Sequence, residues 1–112
     1  MKIKWNDDRV RGTTTAVLLI VRDRLARGQT EALIPAALAQ YRDDPAGYKE
    51  NKAVWADFRE AVPLTNPRHV AYYQGLVATV DKLLQKVTQE KRQFNSLLEL
   101  DNFLVSSLER VR

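Results

Sequence analysis

The stretch PRHVAYYQGLVATVDKLLQKVTQEKRQFNSLLELDNFLVSSLERV, residues 67–111, decides the fold class of this sequence. Its apolar residues recur alternately at every third and fourth position, which is the heptad spacing of a helix that packs along one side. A second apolar row widens this face beyond the seam of a two-helix coil. The stretch therefore predicts a helix whose partner is the upstream chain, a second copy or another protein. The heptad positions are Val70, Tyr73, Val77, Val80, Leu84, Val87, Lys91, Phe94, Leu98, Asp101, Val105 and Leu108, and the second row is Leu76, Leu83, Leu97, Leu104 and Val111.

Two structures are compatible with this stretch. The polar residues 88–93 contain neither Gly nor Pro, and the heptad spacing resumes after them in the same phase. This continuity favours one helix of about 68 Å, at 1.5 Å per residue. The alternative is a helical hairpin with a loop in residues 88–93 and a cap at Asn95 and Ser96. We predict the single helix.

The first 28 residues predict an extended basic arm followed by a central helix. Residues 1–12 form the arm, and the helix begins between Asp8 and Thr13. Gly28 follows the last helix-favouring residues, in the position where a positive φ commonly ends a helix. This helix is apolar on nearly all sides, so we expect the other helices to surround it.

Three prolines mark the starts of the later helices. Pro35 predicts a helix that runs to about Arg42, and Asp44 before Pro45 predicts a capped helix that runs to about Ala61. Asn66 before Pro67 starts the C-terminal segment in the same way. The sequence thus predicts one all-α domain over residues 1–112, a helical bundle of four or five helices, with short helices in 13–65 and residues 66–112 as its spine. The residues expected in its core include Leu18, Trp55, Phe58, Val77 and Leu84.

Composition excludes several classes of protein. Hydrophobic residues make up 45% of the chain, too many for simple disorder. The sequence has no cysteine, which excludes a disulfide framework, a thiolate nucleophile and a cysteine metal site. The longest apolar run, residues 16–21, is far shorter than the ~20 residues that span a bilayer, and the N-terminus lacks the apolar region of a secretory signal. We expect a cytoplasmic protein with no membrane partner.

The sequence lacks the residue patterns of the common catalytic and cofactor sites. His69 is the only histidine, and the neighbouring residues supply no further metal ligands at helical spacing. The four glycines stand apart, so no phosphate-binding loop is formed, and no serine or threonine is linked to the histidine by a triad motif. We therefore predict no enzyme activity, no cofactor and no metal.

The wide apolar face makes protein binding our first functional hypothesis. A helix longer than the upstream helices can cover leaves apolar positions for another protein or a second copy of the chain. We predict a non-enzymatic assembly or adaptor protein that forms a homo-oligomer. The expected interface residues are Leu97, Leu98, Leu104, Val105, Leu108 and Val111.

The charge distribution supports an alternative from a different class, an accessory subunit on RNA or DNA. Residues 1–28 carry seven Lys and Arg against three Asp, whereas residues 29–112 carry eleven of each sign, so the net charge of +4 lies in the first quarter. A local basic patch of this kind attracts phosphates without reading sequence. Basic residues also line the side of the C-terminal helix away from its apolar face. The candidate phosphate contacts are Arg9, Arg22, Arg24, Arg27, Lys82, Lys86 and Arg92.

Overall fold

The computed structural model describes residues 7–49 and 58–111 of the chain. The helices in these residues pack on one another, and the predicted all-α class is confirmed. Helix α1 contacts α2 and α4, and α5 contacts the same two helices from the other side. The four longer helices therefore form a closed bundle. The helices are α1 (Asp7–Ala26), α2 (Leu33–Asp43), α3 (Pro45–Lys49), α4 (Pro67–Glu90) and α5 (Leu97–Leu108).

Helix α1 is central, as its all-round apolar pattern predicts. Every residue from 13 to 21 is buried. Three of them are threonines, and burial of a hydroxyl requires a hydrogen-bond partner. Thr14 Oγ1 donates to the Val10 carbonyl and Thr15 Oγ1 to the Arg11 carbonyl, both at 2.9 Å. The hydroxyl groups of Thr14 and Thr15 are thus paired within the core. Gly28, with φ 74°, follows the helix as predicted.

The predicted extended arm is wrong for residues 7–12, which form the first turns of α1. Val10 is 1% exposed and packs in the core, seven residues before buried Val17. Two helical turns separate these residues, so they lie on one side of the helix. Burial of Val10 therefore extends the helix toward the N-terminus. Residues 1–6 of the predicted arm lie outside the described residues.

The second and third helices depart from their predicted boundaries. Helix α2 begins at Leu33, two residues before Pro35, because Leu33 and Ile34 are buried in the core. Pro35 is tolerated there since the first helical turn leaves its backbone N–H groups unpaired in any case. Asp44 caps α3 as predicted, accepting a bond of 3.1 Å from the Gly47 N–H. The predicted extension to Ala61 is wrong because residues 58–60 form a turn, and residues 50–57, with Trp55, lie outside the described part.

The C-terminal segment is a hairpin of α4 and α5, so the predicted single helix is wrong. Lys91 ends α4 in the left-handed conformation, at φ 50°. Its N–H bonds to the Thr88 carbonyl and the Arg92 N–H to the Val87 carbonyl, the pair of bonds that closes many helix C-termini. Ser96 then caps α5 by accepting a bond of 3.1 Å from the Glu99 N–H. The break was missed because glycine usually occupies the left-handed position.

The unbroken heptad spacing is also misleading in α5. The buried residues of this helix are Leu100, Leu104 and Leu108, which are spaced by four, whereas the heptad selected Leu98 and Asp101. Leu98 is 67% exposed, and Asp101 pairs with an arginine of α2. The apparent continuity arises because α5 carries apolar residues on two sides. In the rest of the core, burial of Leu18, Phe58, Val77 and Leu84 is confirmed.

Candidate anion-binding groove

A non-helical segment of the chain, residues 58–64, is tied to α1 and α4. The buried Tyr73 hydroxyl of α4 donates to the Phe58 carbonyl. Arg22 of α1 donates from Nη1 to the Glu60 carbonyl at 2.8 Å. Because these two bonds hold consecutive parts of one turn, they place the side chain of Arg59 over the outer surface of α4.

Arg59 forms a bidentate ion pair with Asp81 of α4. Its Nη1 and Nη2 atoms lie 2.6 and 2.8 Å from the two carboxylate oxygens. The hydrogen bonds from Arg59 lower the pKa of Asp81, and the charge of Arg11 on α1 lowers it further. The same pair raises the pKa of Arg59. Asp81 is therefore ionised at neutral pH and lies close to two guanidinium groups.

An open groove of about 580 Å³ surrounds this pair. On α4, Asp81, Gln85 and Gln89 follow one another at intervals of four residues, so they form a row along one side of the helix. Leu84, 9% exposed, supplies the apolar part of the lining. The groove thus combines two arginines, one acid and side-chain amides. Its lining residues are Arg11, Arg59, Asp81, Leu84, Gln85, Thr88 and Gln89.

The four α1 arginines that were predicted to contact phosphates all interact with other groups of the chain. Besides the Arg22 bond to Glu60, Arg24 Nη2 donates to Gln40 Oε1 at 3.1 Å, across the boundary between α1 and α2. Arg27 forms a salt bridge of 3.3 Å with Asp23. These arginines are therefore engaged within the chain, and their predicted phosphate contacts stay a prediction. Arg9 is exposed on the first turn of α1.

The basic residues of α4 and its C-terminal turn have two different environments. Lys82 and Lys86 are exposed, each three residues before a groove glutamine, and therefore lie beside the groove on the helix surface. Arg92 instead stacks on aromatic rings, with its guanidinium carbon 4.6 Å from the Phe103 centroid and 5.4 Å from that of Phe94. Arg92 thus covers the apolar side of the α4–α5 turn, and the structure does not bring it into the groove.

The six predicted interface residues divide by burial. Leu104 and Leu108 are 0% exposed and belong to the core of this chain, which corrects their assignment to an interface. Val105 and Val111 are partly buried against that core. Leu97 and Leu98 are 45% and 67% exposed, and with Val62 they are the large exposed hydrophobic residues of the described chain. Only the first turn of α5 thus presents predicted interface leucines at the surface.

Arg11 and Arg59, which line the groove, were not among the predicted site residues. Arg11 lies in the basic first quarter, so the charge count was a signal for it, but Arg59 and Asp81 are separated by 22 residues on different elements. No periodicity connects two such positions. The turn that brings them together depends on the Tyr73 and Arg22 bonds, which are tertiary contacts.

Residues 7–49 and 58–111 contain no group of three or more metal-ligating side chains placed to hold an ion. None of the helices in these ranges is long and apolar enough to cross a membrane.

Comparison with known proteins yields no relative. No protein-family model, no curated protein and no solved structure matches this chain. Its function is therefore inferred from the burial, charge and hydrogen bonding of its own residues.

Proposed function

We propose that the protein is a non-enzymatic assembly or adaptor protein that binds protein surfaces, including a second copy of itself. The observation that carries the proposal is the exposure of adjacent leucines, Leu97 and Leu98, at 45% and 67%. Single exposed apolar residues are ordinary, but adjacent ones beside further apolar surface mark binding sites more often. Val105 lies two turns after Leu98 on the same side of α5 and is partly buried. These three residues form the α5 patch.

The α5 patch suits pairing between identical chains. In a two-fold dimer the same patch meets itself, so one apolar surface provides both halves of the interface. Contact between two copies would remove the exposed leucine side chains from water, at about 25 cal/mol per Å² of apolar surface. Self-association is therefore the simplest use of this patch.

Asp81 and Tyr73, two described groups with shifted pKa values, lack the titration behaviour of a general acid or base. A general acid or base works best with a pKa near the operating pH. Hydrogen bonds from Arg59 lower the pKa of Asp81, and burial raises the pKa of Tyr73 to about 12. Both shifts move the pKa values further from neutral pH. Near neutral pH Asp81 is thus deprotonated and Tyr73 protonated, and neither group is poised to transfer a proton.

Sedimentation velocity at micromolar concentration tests the proposal with Leu98→Glu and the matched surface variant Gln74→Glu. We expect the wild-type chain and Gln74→Glu to sediment as a dimer or larger species. Leu98→Glu should associate at least about tenfold more weakly, because dimerisation would desolvate its carboxylate. Both positions are exposed, so the helical circular dichroism should be the same in all three proteins. A monomeric wild type, or equal association of the two variants, contradicts the proposal.

An accessory role on RNA or DNA remains a second candidate with less support. The exposure of Lys82 and Lys86 favours it, since both can reach a phosphate without breaking an ion pair described here. The engagement of Arg22, Arg24 and Arg27 within the chain weighs against it. Retention on single-stranded RNA or DNA at about 0.15 M salt, where diffuse attraction is screened, would support this role.

A further inference from the structure

The described residues of the groove carry more positive than negative charge. Arg11 and Arg59 both line the groove, whereas Asp81 is the one acidic residue among the described residues of the lining. Arg59 bonds both oxygens of that carboxylate. The Arg11 side chain is exposed, and its guanidinium makes no hydrogen bond to the side chains described in residues 9–47 and 58–111. This exposed guanidinium of the groove can thus meet an anion from outside.

The α4 side of the groove is suited to a peptide backbone. Gln85 and Gln89 are exposed and separated by one helical turn, about 6 Å along the axis. An extended peptide repeats every second residue at about 6.6 Å, close to that separation. Side-chain amides both donate and accept hydrogen bonds, as a peptide backbone does. Two glutamines at this spacing can therefore bond successive N–H and C=O groups of an extended segment.

The charges around the groove favour an acidic ligand that carries few negative charges. Lys82 and Lys86 are three residues before Gln85 and Gln89, and they add positive potential that attracts an anion. Asp81 remains ionised, and its side chain is 38% exposed beside Arg59. A nucleic-acid strand carries a phosphate for each nucleotide, at about 3.4 Å of helix axis, and would bring several of them toward this carboxylate. A peptide with a single acid can pair with Arg11 and avoid Asp81.

We propose that this groove binds a short acidic peptide segment of a protein partner, with one Glu or Asp carboxylate paired to Arg11 and the peptide backbone bonded to Gln85 and Gln89. The inference rests on the proposed function only in that the chain binds other proteins. It names a surface separate from the α5 patch. Arg11 lies on α1 and Gln85 and Gln89 on α4, so the site exists only in the folded bundle.

The test compares two arrays of hexapeptides. Each peptide of the first array carries one Glu, and its counterpart in the second array has Gln at the same position. A hexapeptide is long enough because the row from Asp81 to Gln89 covers about 12 Å, roughly four extended residues. Binding of labelled peptides from both arrays is then measured by fluorescence anisotropy at about 0.15 M salt. We expect selected Glu peptides to bind at least about tenfold more tightly than their Gln counterparts, as a charge-assisted bond would require.

Two variants of α1 locate the contact. Arg11→Gln should weaken the binding of Glu peptides about tenfold and leave that of Gln peptides unchanged. Arg9→Gln removes the same charge about 160° away around the helix and should bind like the wild type. Both residues are exposed, and unchanged circular dichroism melting curves would verify that both variants fold.

Three results would overturn the inference: equal binding of Glu and Gln peptides, equal effects of Arg9→Gln and Arg11→Gln, or Arg11-dependent binding of a single-stranded oligonucleotide in place of the peptides. The last result would assign the groove to nucleic acid. Sedimentation of the same wild-type sample separates this failure from that of the proposed function. If the chain dimerises through Leu98 but does not bind acidic peptides, the proposed function is retained and only the proposal for the groove is rejected.

Discussion

Arg42 and Asp101 join α2 to α5 through a bidentate ion pair. Arg42 Nη2 lies 2.6 Å from Asp101 Oδ1, and its Nε lies 3.2 Å from both carboxylate oxygens. The two side chains are only 24% and 22% exposed. Arg42 also lies over the ring of Tyr41, 5.2 Å from its centroid. Asp101, which interrupts the apolar stripe in the sequence, is therefore a contact between helices.

Removal of either partner of this pair should destabilise the bundle. We expect Asp101→Asn or Arg42→Gln to lower the free energy of unfolding by about 1–3 kcal/mol, because a half-buried charge loses its hydrogen-bond partner. Urea denaturation of both single variants and the double variant measures this effect. If the pair is coupled as the geometry indicates, the double variant costs less than the sum of the single ones. Strictly additive costs would contradict this coupling.

Lys91→Gly should stabilise the hairpin. Lys91 has φ 50°, a conformation that costs a residue with a side chain about 1–2 kcal/mol and glycine almost nothing. The flexibility of glycine in the unfolded chain offsets part of this gain, so we expect a net increase of up to about 1 kcal/mol. Thermal unfolding followed by circular dichroism measures the change.

The sign of the Lys91→Gly effect separates the hairpin from a continuous helix. In the middle of one helix, the same substitution would destabilise the protein by about 1 kcal/mol. Gln89→Gly, inside the last turn of α4, serves as the control and should lower stability. A decrease for both variants would be evidence against a turn at Lys91.

Because Tyr73 is buried with a raised pKa, we expect the folded protein to lose stability at alkaline pH. Burial raises the pKa of Tyr73 to about 12 in the folded protein, from an ordinary value of 10.0. Between these values the unfolded chain loses the tyrosine proton while the folded chain keeps it, so unfolding is favoured. The stabilising contribution is therefore complete below pH 10 and decreases as the pH rises toward 12.

Comparison of the wild type with Tyr73→Phe isolates this contribution. At pH 7 the variant should lose about 1 kcal/mol, because the Phe58 carbonyl loses its donor. Its stability should then decline less steeply than that of the wild type above pH 10, measured by urea denaturation at several pH values. Parallel curves for the two proteins from pH 9 to about 12 would show that Tyr73 does not cause the decline.

Several elements could be predicted from neighbouring residues alone. Asn66 before Pro67 indicated the start of α4, and Asn66 Oδ1 accepts from the Arg68 N–H at 2.9 Å. Asp44 before Pro45 indicated α3, and Gly28 the end of α1. These signals are reliable because a cap is made by residues within four positions of one another. The apolar content of residues 13–21 likewise predicted a central helix.

The groove and the hairpin depended on contacts that no local pattern contains. The heptad spacing continues past Lys91, although the chain turns there. The hairpin, and not a single helix, is the arrangement in which Leu100, Leu104 and Leu108 are buried in the core. Arg59 reaches Asp81 only because the turn before α4 is bonded to Tyr73 and Arg22.

The sequence by itself determined the all-α class, the central apolar helix and the helix ends marked by Gly28, Asp44 and Asn66, because these follow from local hydrogen bonding and from hydrophobic content. Only the tertiary structure decided which apolar residues stay at the surface and which charges meet. Burial and charge pairing depend on distances between helices that are far apart in the chain. Leu98 and Asp101 are three residues apart in α5. Because α5 packs on α2 and α4, Leu98 lies at the surface whereas Asp101 is bonded to Arg42.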